Sequence, residues 1–376
     1  MQHPLNNYQK TLELCLDRIR HNVTAFAGQF PFVGSGNSFI LGPNDHWMTS
    51  FWTGELWLAY AITGDDFFCN AASLQLETFH QRLIDNIDIS HDLGFLYTLS
   101  AVAQYKLTGD EKARSVALTA ADRLTERFNP RGEYIQAWGP PGDPQEGGRF
   151  IVDCLMNLPL LHWATEQTGD PRYADVANRH ARTTRRYIIR PDGSTAHTFF
   201  MNPETGEPIG QKTRQGYADG SLWSRGQAWA ITGFALAHEW SSEVDFLAAS
   251  RQTADTFLAE ITPDYVPFWD FRLPEDAPQV RDTSAGVIAA AGLTRLANLL
   301  DDGSSERYRA AAHRLLDAQL EAAFNPTPAD IQGLLAKATY LATRPDHAEQ
   351  YTLFGDYFFL EALARQAGYD VDFWGK

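Results

Sequence analysis

The side chains with chemistry to offer stand where an ionisable or aromatic residue interrupts an apolar run. Asp153 is the clearest case. It is the one acid in Arg149-Phe-Ile-Val-Asp153-Cys-Leu-Met-Asn157-Leu-Pro-Leu-Leu, which has the pattern of a buried helix. A carboxylate buried without a partner costs several kcal/mol or keeps its proton, and a carboxyl still protonated near pH 7 is suited to general acid work. The opposing reading puts Asp153 in a first helical turn, ionised by the helix dipole and paired with Arg149, which would depress its pKa. Asn157, one turn on, shares its face and is placed to orient it. Asp92, in Ser90-His91-Asp92-Leu-Gly-Phe-Leu-Tyr97, starts another apolar helix, where an Asp is ordinarily an N-cap. His91 beside it favours a second reading, in which both residues face a cleft. Two Asp from different helices at one cleft would form the paired carboxyls that act on glycosidic linkages, at a separation no sequence gives.

A third constellation is Gln215-Gly-Tyr-Ala-Asp219-Gly-Ser-Leu-Trp223-Ser224-Arg225-Gly-Gln-Ala-Trp229. With Ser224 as N-cap, Arg225 falls in the first turn and adds its charge to the positive helix end, an arrangement that suits a carboxylate or phosphate. Trp229, four residues on, would set a ring beside that charge. The alternative pairs Arg225 with Asp219 and sends Trp229 to the core. His197 and Trp138 lie in long loops, and Trp47 just precedes a helix. A Trp in a Gly/Pro-rich loop such as Ala137-Trp138-Gly-Pro-Pro-Gly suits a sugar platform.

The elements that must position these residues are helices. Apolar periodicity predicts one over Tyr8–Phe26 and others over roughly 48–62, 65–86, 93–107, 111–128, 150–167, 170–188, 223–239, 242–260, 283–299, 304–323 and 353–367. Thr63-Gly64-Asp65, Thr108-Gly109-Asp110 and Thr168-Gly169-Asp170 join successive pairs, each Gly ending one helix and each Asp capping the next. A degenerate repeat of about 45–60 residues follows. Six such hairpins predict an all-α fold, an α/α six-barrel in which residues 1–376 make one catalytic domain; an open solenoid is the alternative. The connections 30–45, 129–148 and 191–221 precede inner helices and are too long and too rich in Trp, His and Arg for plain connectors, so the site is expected at that mouth.

Composition narrows the partners. The 376 residues carry 31 basic and 47 acidic side chains, a net charge of −16, which argues against nucleic acid and anionic membrane. A small anion needs only a local basic pocket. Ten Trp suggest rings lining a cleft. Residues 1–30 are charged throughout and hold no apolar signal-type stretch, no run approaches ~18 apolar residues, and Cys15, Cys69 and Cys154 form no paired motif; a cytoplasmic protein is expected. With no HExxH, CxxC pair, EF-hand loop, P-loop, GxGxxG or GxSxG, no metal and no cofactor are expected. Monomer and homodimer stay open.

Taken in chain order, Asn44-Asp-His-Trp47-Met-Thr-Ser-Phe-Trp-Thr-Gly, His91-Asp92-Leu-Gly-Phe-Leu-Tyr, Gln136-Ala-Trp138-Gly-Pro, Gly148-Arg-Phe-Ile-Val-Asp153-Cys-Leu-Met-Asn, Asp219-Gly-Ser-Leu-Trp-Ser-Arg225-Gly-Gln-Ala-Trp229, Phe268-Trp-Asp-Phe and Gly355-Asp-Tyr-Phe-Phe-Leu-Glu-Ala-Leu resemble the unsaturated glucuronyl hydrolases, glycoside hydrolase family 88. The resemblance spans nearly the whole chain. It implies an α/α six-barrel without metal or cofactor, acting in the cytoplasm on small lyase-made oligosaccharides with a 4,5-unsaturated uronic acid at the non-reducing end. It assigns the acid/base role to Asp153 and a second essential carboxylate to Asp92, beside His91. Substrate contacts carried over by it are Trp47, Trp138, His197, Gln215, Arg225 and Trp229, with Arg225 and His197 meeting the uronate carboxylate. The chain departs from the family pattern at Leu93, across Leu334–Gln350, and at Phe354, where the pattern has Trp. The last two bear on the aglycone side and on sulfate preference. The source polysaccharide (chondroitin, hyaluronan, heparin, gellan, ulvan or pectin) therefore stays open. Rival readings are an unsaturated rhamnogalacturonyl hydrolase, an α/α-barrel sugar epimerase using His91 and His197 as acid and base, and a non-catalytic sugar-binding toroid.

Overall fold

In a computed structural model, residues 4–327 and 330–376 are described. The helix α1 (Pro4–Phe26) leads through a hairpin of β1 (Phe30–Ser35) and β2 (Ser38–Gly42) to α2 (Thr49–Thr63), α3 (Asp66–Ser73) and α4 (Leu76–Asp85). Next come α5 (Leu93–Tyr97), a π turn (Thr98–Val102), α6 (Ala103–Thr108) and α7 (Glu111–Thr125). The pair β3 (Phe128–Asn129) and β4 (Tyr134–Ile135) precedes β5 (Arg149–Ile151), a 3-10 segment (Val152–Asn157), α8 (Leu158–Thr168) and α9 (Arg172–Ile188). Strands β6 (Thr198–Met201) and β7 (Pro208–Lys212) are followed by α10 (Ser224–Ser241), α11 (Val244–Glu260), α12 (Thr283–Leu299), α13 (Ser304–Ala323) and α14 (Leu353–Gln366).

Six of these helical units form an inner ring: α2, α5–α6, α8 with its 3-10 lead, α10, α12 and α14. Each packs on the next, and α14 returns to α2 and closes the circle. Closure excludes the open solenoid. Inner helices are apolar all round, as burial on both faces requires: Ser224–Ala237 of α10 and Thr283–Leu293 of α12 are buried without a break. The outer ring, α1, α3–α4, α7, α9, α11 and α13, is amphipathic; α9 buries Tyr173, Ala177, His180, Ala181 and Thr184 and leaves its arginines outside.

The Thr-Gly-Asp turns work alike at all three sites. The Thr hydroxyl donates to the carbonyl four residues back, the Gly takes left-handed φ of 67°, 71° and 74°, and the Asp N–H donates to the Thr oxygen. Each Asp carboxylate then accepts the N–H two residues on. A fourth copy is hidden by its residues: Ser241 donates to Ala237 O, Ser242 has φ 61°, and Glu243 N–H donates to Ser241 Oγ.

Two expected helices are corrected. The stretch 65–86 breaks at Leu74–Gln75 into α3 and α4. The stretch before α8 is a strand and then a 3-10 segment, because β5 pairs with β6 (Phe150 with Phe199), and β6 with β7, in an antiparallel sheet. Asp153 thus sits in a tighter turn than an α-helix gives.

The end of the barrel opposite the inner-helix N-termini is plugged by residues 371–376. Trp374 is buried and stacks on Phe358 at 9°. Its indole donates to Glu361 Oε2, and its carbonyl accepts from Trp240 Nε1. Arg295 pairs with both Asp372 and Glu239, and Lys106 Nζ donates to Gly375 O. One mouth is left.

Candidate active site

At that mouth Trp47 precedes α2, Asp92 immediately precedes α5, and Asp153 occupies the segment ahead of α8. With His91, Trp138 and Gln215 they line one cavity of about 240 Å³. Asp88, Ile151, Arg214, Tyr340 and Leu341 complete its wall. Two segments distant in sequence are locked here. Gly94 lies where a Cβ would come within 2.1 Å of Asn157 Cα, so only Gly lets α5 approach the 3-10 segment. Asn157 Oδ1 accepts Phe95 N–H at 2.6 Å, and its Nδ2 donates to Asp153 O. Asn157 therefore holds the backbone around both acids and does not bond the Asp153 carboxyl.

Asp153 is buried, and its Oδ2 has no hydrogen-bond partner. Burial and the nearby Asp92 charge push its carboxyl up to about 7, against the opposing pull of Arg225. The pair with Arg149 does not form: Arg149 binds Glu146 at 2.7 Å and lies against the Trp138 and Phe200 rings. Asp92 makes no N-cap bond. It accepts from Ser90 Oγ at 3.1 Å, and His91 Nε2 stands 3.4 Å from its Oδ1. Burial pushes Asp92 up to about 7 as well, while Ser90, Arg127, Arg82 and Asn157 hold it down. Two carboxyls in one dry pocket titrate as a pair.

Both histidines are neutral. His91 lines the cavity with neither ring nitrogen bonded, and burial with the Arg127 charge lowers it to about 3. His197 stands behind the wall, its ring tilted at 50° against Trp223. Its Nδ1 accepts two backbone N–H groups, of Arg214 at 3.0 Å and Gln215 at 3.1 Å. That assigns its proton to Nε2, 4.0 Å from Asp153 Oδ2. Burial and then the arginines 225, 214 and 149 hold the ring well below its ordinary pKa. Gln215 donates to Tyr340 O at 3.1 Å.

Three expected contacts are not on the cavity wall: His197, which stands behind it, Arg225 and Trp229. Arg225 is buried, and its partner is Asp282 at 2.6 Å, not Asp219. It also donates to the carbonyls of Thr339 and Tyr340 and lies between Trp223 and Phe354. Its donors are used to hold the segment carrying Tyr340. Trp229 is fully buried against Phe95 and Phe358. The helix start at Ser224 is thus closed by protein rather than open to an anion. Of the ten Trp, only Trp47 and Trp138 reach the wall; Trp47 stacks on Phe354 at 15°, so Phe354 keeps an aromatic backing there.

The cation facing the cavity is Arg214, which the sequence reading passed over. Its guanidinium lies 4.7 Å from the Trp138 ring centroid, and no carboxylate lies within 4 Å of it among the described residues. The available signal was its place beside Gln215 in the long loop. Tyr340 and Leu341 on the wall come from the segment 334–350, which departs from the family pattern and is expected to bear on the aglycone side.

A closed α/α-barrel with two buried carboxyls, aromatic walls and, among the described residues, one cation without a carboxylate partner on the cavity wall is the architecture of a carbohydrate-processing enzyme. The chain belongs to Glycosyl Hydrolase Family 88, whose family model matches residues 34–270. It is 42% identical over 363 residues to an unsaturated glucuronyl hydrolase of Bacillus sp. (strain GL1), covering 95% of this chain and 96% of that one. It is 38% identical to an unsaturated chondroitin disaccharide hydrolase of Streptococcus pyogenes serotype M1, covering 95% and 90%. The crystal structure of the unsaturated glucuronyl hydrolase of Streptococcus agalactiae superposes with a TM-score of 0.94 at 35% identity, covering 98% of this chain and 94% of that one. The α/α-barrel expected from the hairpin repeat is the fold of these relatives.

Proposed function

We propose that this enzyme releases 4,5-unsaturated glucuronate from the non-reducing end of lyase-made oligosaccharides, with glycosaminoglycan disaccharides as its substrate class. The observation that carries the reading is the buried Asp153, its Oδ2 unpartnered, facing a cavity it shares with Asp92; burial pushes its carboxyl up to about 7. The names of the relatives support the sugar, and they favour it over a pectin-derived one.

The substrate is a vinyl ether, O5–C5=C4. Asp153 gives its proton to C4, and the double-bond electrons form the new C–H bond, leaving an oxocarbenium ion at C5. Asp92, ionised one pocket-width away, stabilises that cation and holds ring hydroxyls, with His91 beside it. The Asp153 carboxylate then takes a proton from water as the water oxygen bonds to C5, which restores the acid. The C5 hemiketal opens by breaking C5–O5, and the C1 hemiacetal so formed expels the aglycone alcohol. Because no displacement occurs at C1, the carboxyl-separation rule for retention and inversion does not govern this site. Arg214 is the cation placed for the uronate carboxylate. His197 backs Asp153 from behind the wall, its Nε2 4.0 Å from Asp153 Oδ2, Trp47 and Trp138 provide ring faces for the sugars, and Gln215 adds a polar edge. Arg225 and Trp229 act from behind, by holding the wall. An epimerase would need both histidines free for proton transfer, and His197 has Nδ1 committed to two backbone donors.

One barrel spanning the chain carries the reaction in this reading, in the cytoplasm, on products imported as short oligosaccharides. No described helix is long and apolar enough to cross a membrane. The test is optical, since the reaction removes the conjugated double bond. Ultraviolet absorbance of unsaturated chondroitin or hyaluronan disaccharides should fall with wild-type protein, and Asp153→Asn should slow the loss by about 10³-fold or more. Unchanged absorbance across chondroitin, hyaluronan, heparin and gellan products would sink the proposal; turnover of the pectin product alone would favour the rhamnogalacturonyl alternative.

A further inference from the structure

Arg127 follows α7 and is buried, 2% exposed, yet no carboxylate lies within 4 Å of it among the described residues. Its guanidinium instead spends its donors on four backbone carbonyls. Nη1 donates to Ile89 O at 2.5 Å, Nε to Gln136 O at 2.9 Å, and Nη2 to Ala137 O at 3.2 Å and Gly139 O at 2.9 Å. These carbonyls belong to two separate pieces of the cavity wall: the turn that leads into His91 and Asp92, and the loop that carries Trp138. A backbone bond joins the same two pieces, His91 N–H to Ala137 O at 2.9 Å. Leaving a buried guanidinium without a counter-ion is costly unless its hydrogen bonds are complete and its charge is used.

The charge falls on one carboxyl of the pair. Around Asp92 stand Asp88, Ser90 and His91 from its own turn, Arg82 from α4, Arg127 from the end of α7, and Asp153, Cys154 and Asn157 from the 3-10 segment. Arg127 is among the groups that hold Asp92 down, whereas the cation felt by Asp153 is Arg225. The two acids are therefore biased by different arginines, Arg127 and Arg82 for Asp92 and Arg225 for Asp153.

We propose that Arg127 is a positioning residue for this reaction: it clamps the His91–Asp92 turn to the Trp138 loop and so holds a positive charge near the Asp92 carboxyl. The inference rests on the hydrolase reading, in which Asp153 must keep the proton.

The test compares wild type, Arg127→Lys and Arg127→Gln on an unsaturated chondroitin disaccharide, following absorbance across pH 4–9, with a thermal melt of each protein. Lys keeps the charge and loses most of the fork; Gln loses both. Both variants should lower kcat by about 10- to 100-fold with KM changed less than about threefold, since the clamp orients the acids rather than binding the sugar. The acid limb of kcat/KM should move up by about 1 pH unit in Arg127→Gln, because Asp92 keeps its proton to higher pH without that charge, and should stay near the wild-type position in Arg127→Lys. Folded variants with wild-type kcat overturn the clamp. An acid limb that moves equally in both, or in neither, overturns the charge role. Should Arg127→Gln give no cooperative melt, Arg127→Lys decides alone: lowered kcat with an unmoved limb is required. A wild-type protein that leaves the absorbance unchanged removes the hydrolase reading and this inference with it, while normal wild-type turnover with unaltered variants removes the inference only.

Discussion

Asp153 and Asp92 hold about one proton between them near neutrality, since each is pushed up to about 7 in a pocket too dry for two charges. Activity should therefore peak close to pH 7. It should fall on the alkaline side as Asp153 loses its proton and on the acid side as Asp92 gains one, giving a narrow bell in kcat/KM. The same shift appears in stability. Between the ordinary carboxyl pKa of 3.8 and about 7, the folded protein keeps a proton on Asp153 that the unfolded chain has released. Folding then loses about 1.4 kcal/mol for each pH unit over that window, and the loss is absent below it. Asp153→Asn removes the dependence, so its unfolding free energy relative to wild type should rise from pH 4 to 7 and then level off; urea melts at pH 4, 6 and 8 would show it. Arg214→Ala should raise KM by about tenfold or more with a smaller change in kcat, as loss of a binding charge does. The burial of Asp153 was legible from an acid in an apolar run. The placement of Arg214 on the cavity wall was not, because a loop arginine looks the same in sequence wherever its guanidinium points.

At the scale of elements, two glycines separate conformational demand from close approach. Gly109 ends α6 with φ 71° and has nothing within 4 Å of a built Cβ. Gly109→Ala should cost about 1 kcal/mol in a thermal or urea melt and leave turnover intact. Gly94 has no such φ, but a methyl there would strike the Asn157 backbone at 2.1 Å. Gly94→Ala should destabilise by about 1–3 kcal/mol and lower kcat by more than about tenfold, because it pushes the Asp92 and Asp153 segments apart. The Thr-Gly-Asp spacing revealed three turns, since their mechanism is local. It concealed the Ser-Ser-Glu copy, whose geometry is the same with different side chains, and the break between α3 and α4. It also misread residues 150–157, where pairing with β6 outweighed the helical periodicity.

For the whole molecule, the plug and the single mouth set what the enzyme can act on. A cavity of about 240 Å³ in a barrel plugged at its far end by Trp374 should admit the end of a chain and not its middle. Intact hyaluronan or chondroitin sulfate should keep its viscosity under conditions that consume the unsaturated disaccharide. Removing residues 371–376 would leave Arg295 with Glu239 alone and empty the Trp374 site, so the truncated protein should melt several degrees lower, chiefly from loss of the buried Trp374 ring, about 3–5 kcal/mol. The net charge of −16 is consistent with this economy, since one free arginine at the mouth meets a small anion that the rest of the surface repels. By itself, the sequence determined the hairpin repeat, the inner and outer helices, the motif order that marks the family and the two acids. Those follow from periodicity, local turn chemistry and residue type, which act over a few neighbours along the chain. Tertiary structure alone decided that Asp282 takes Arg225, that Trp229 is core, that Arg214 is the free cation and that Arg127 ties two loops together. Each depends on which groups folding brings together, from Arg127 and Gln136, 9 positions apart, to Arg225 and Tyr340, 115 apart, and a buried charge goes to the partner that geometry brings to it.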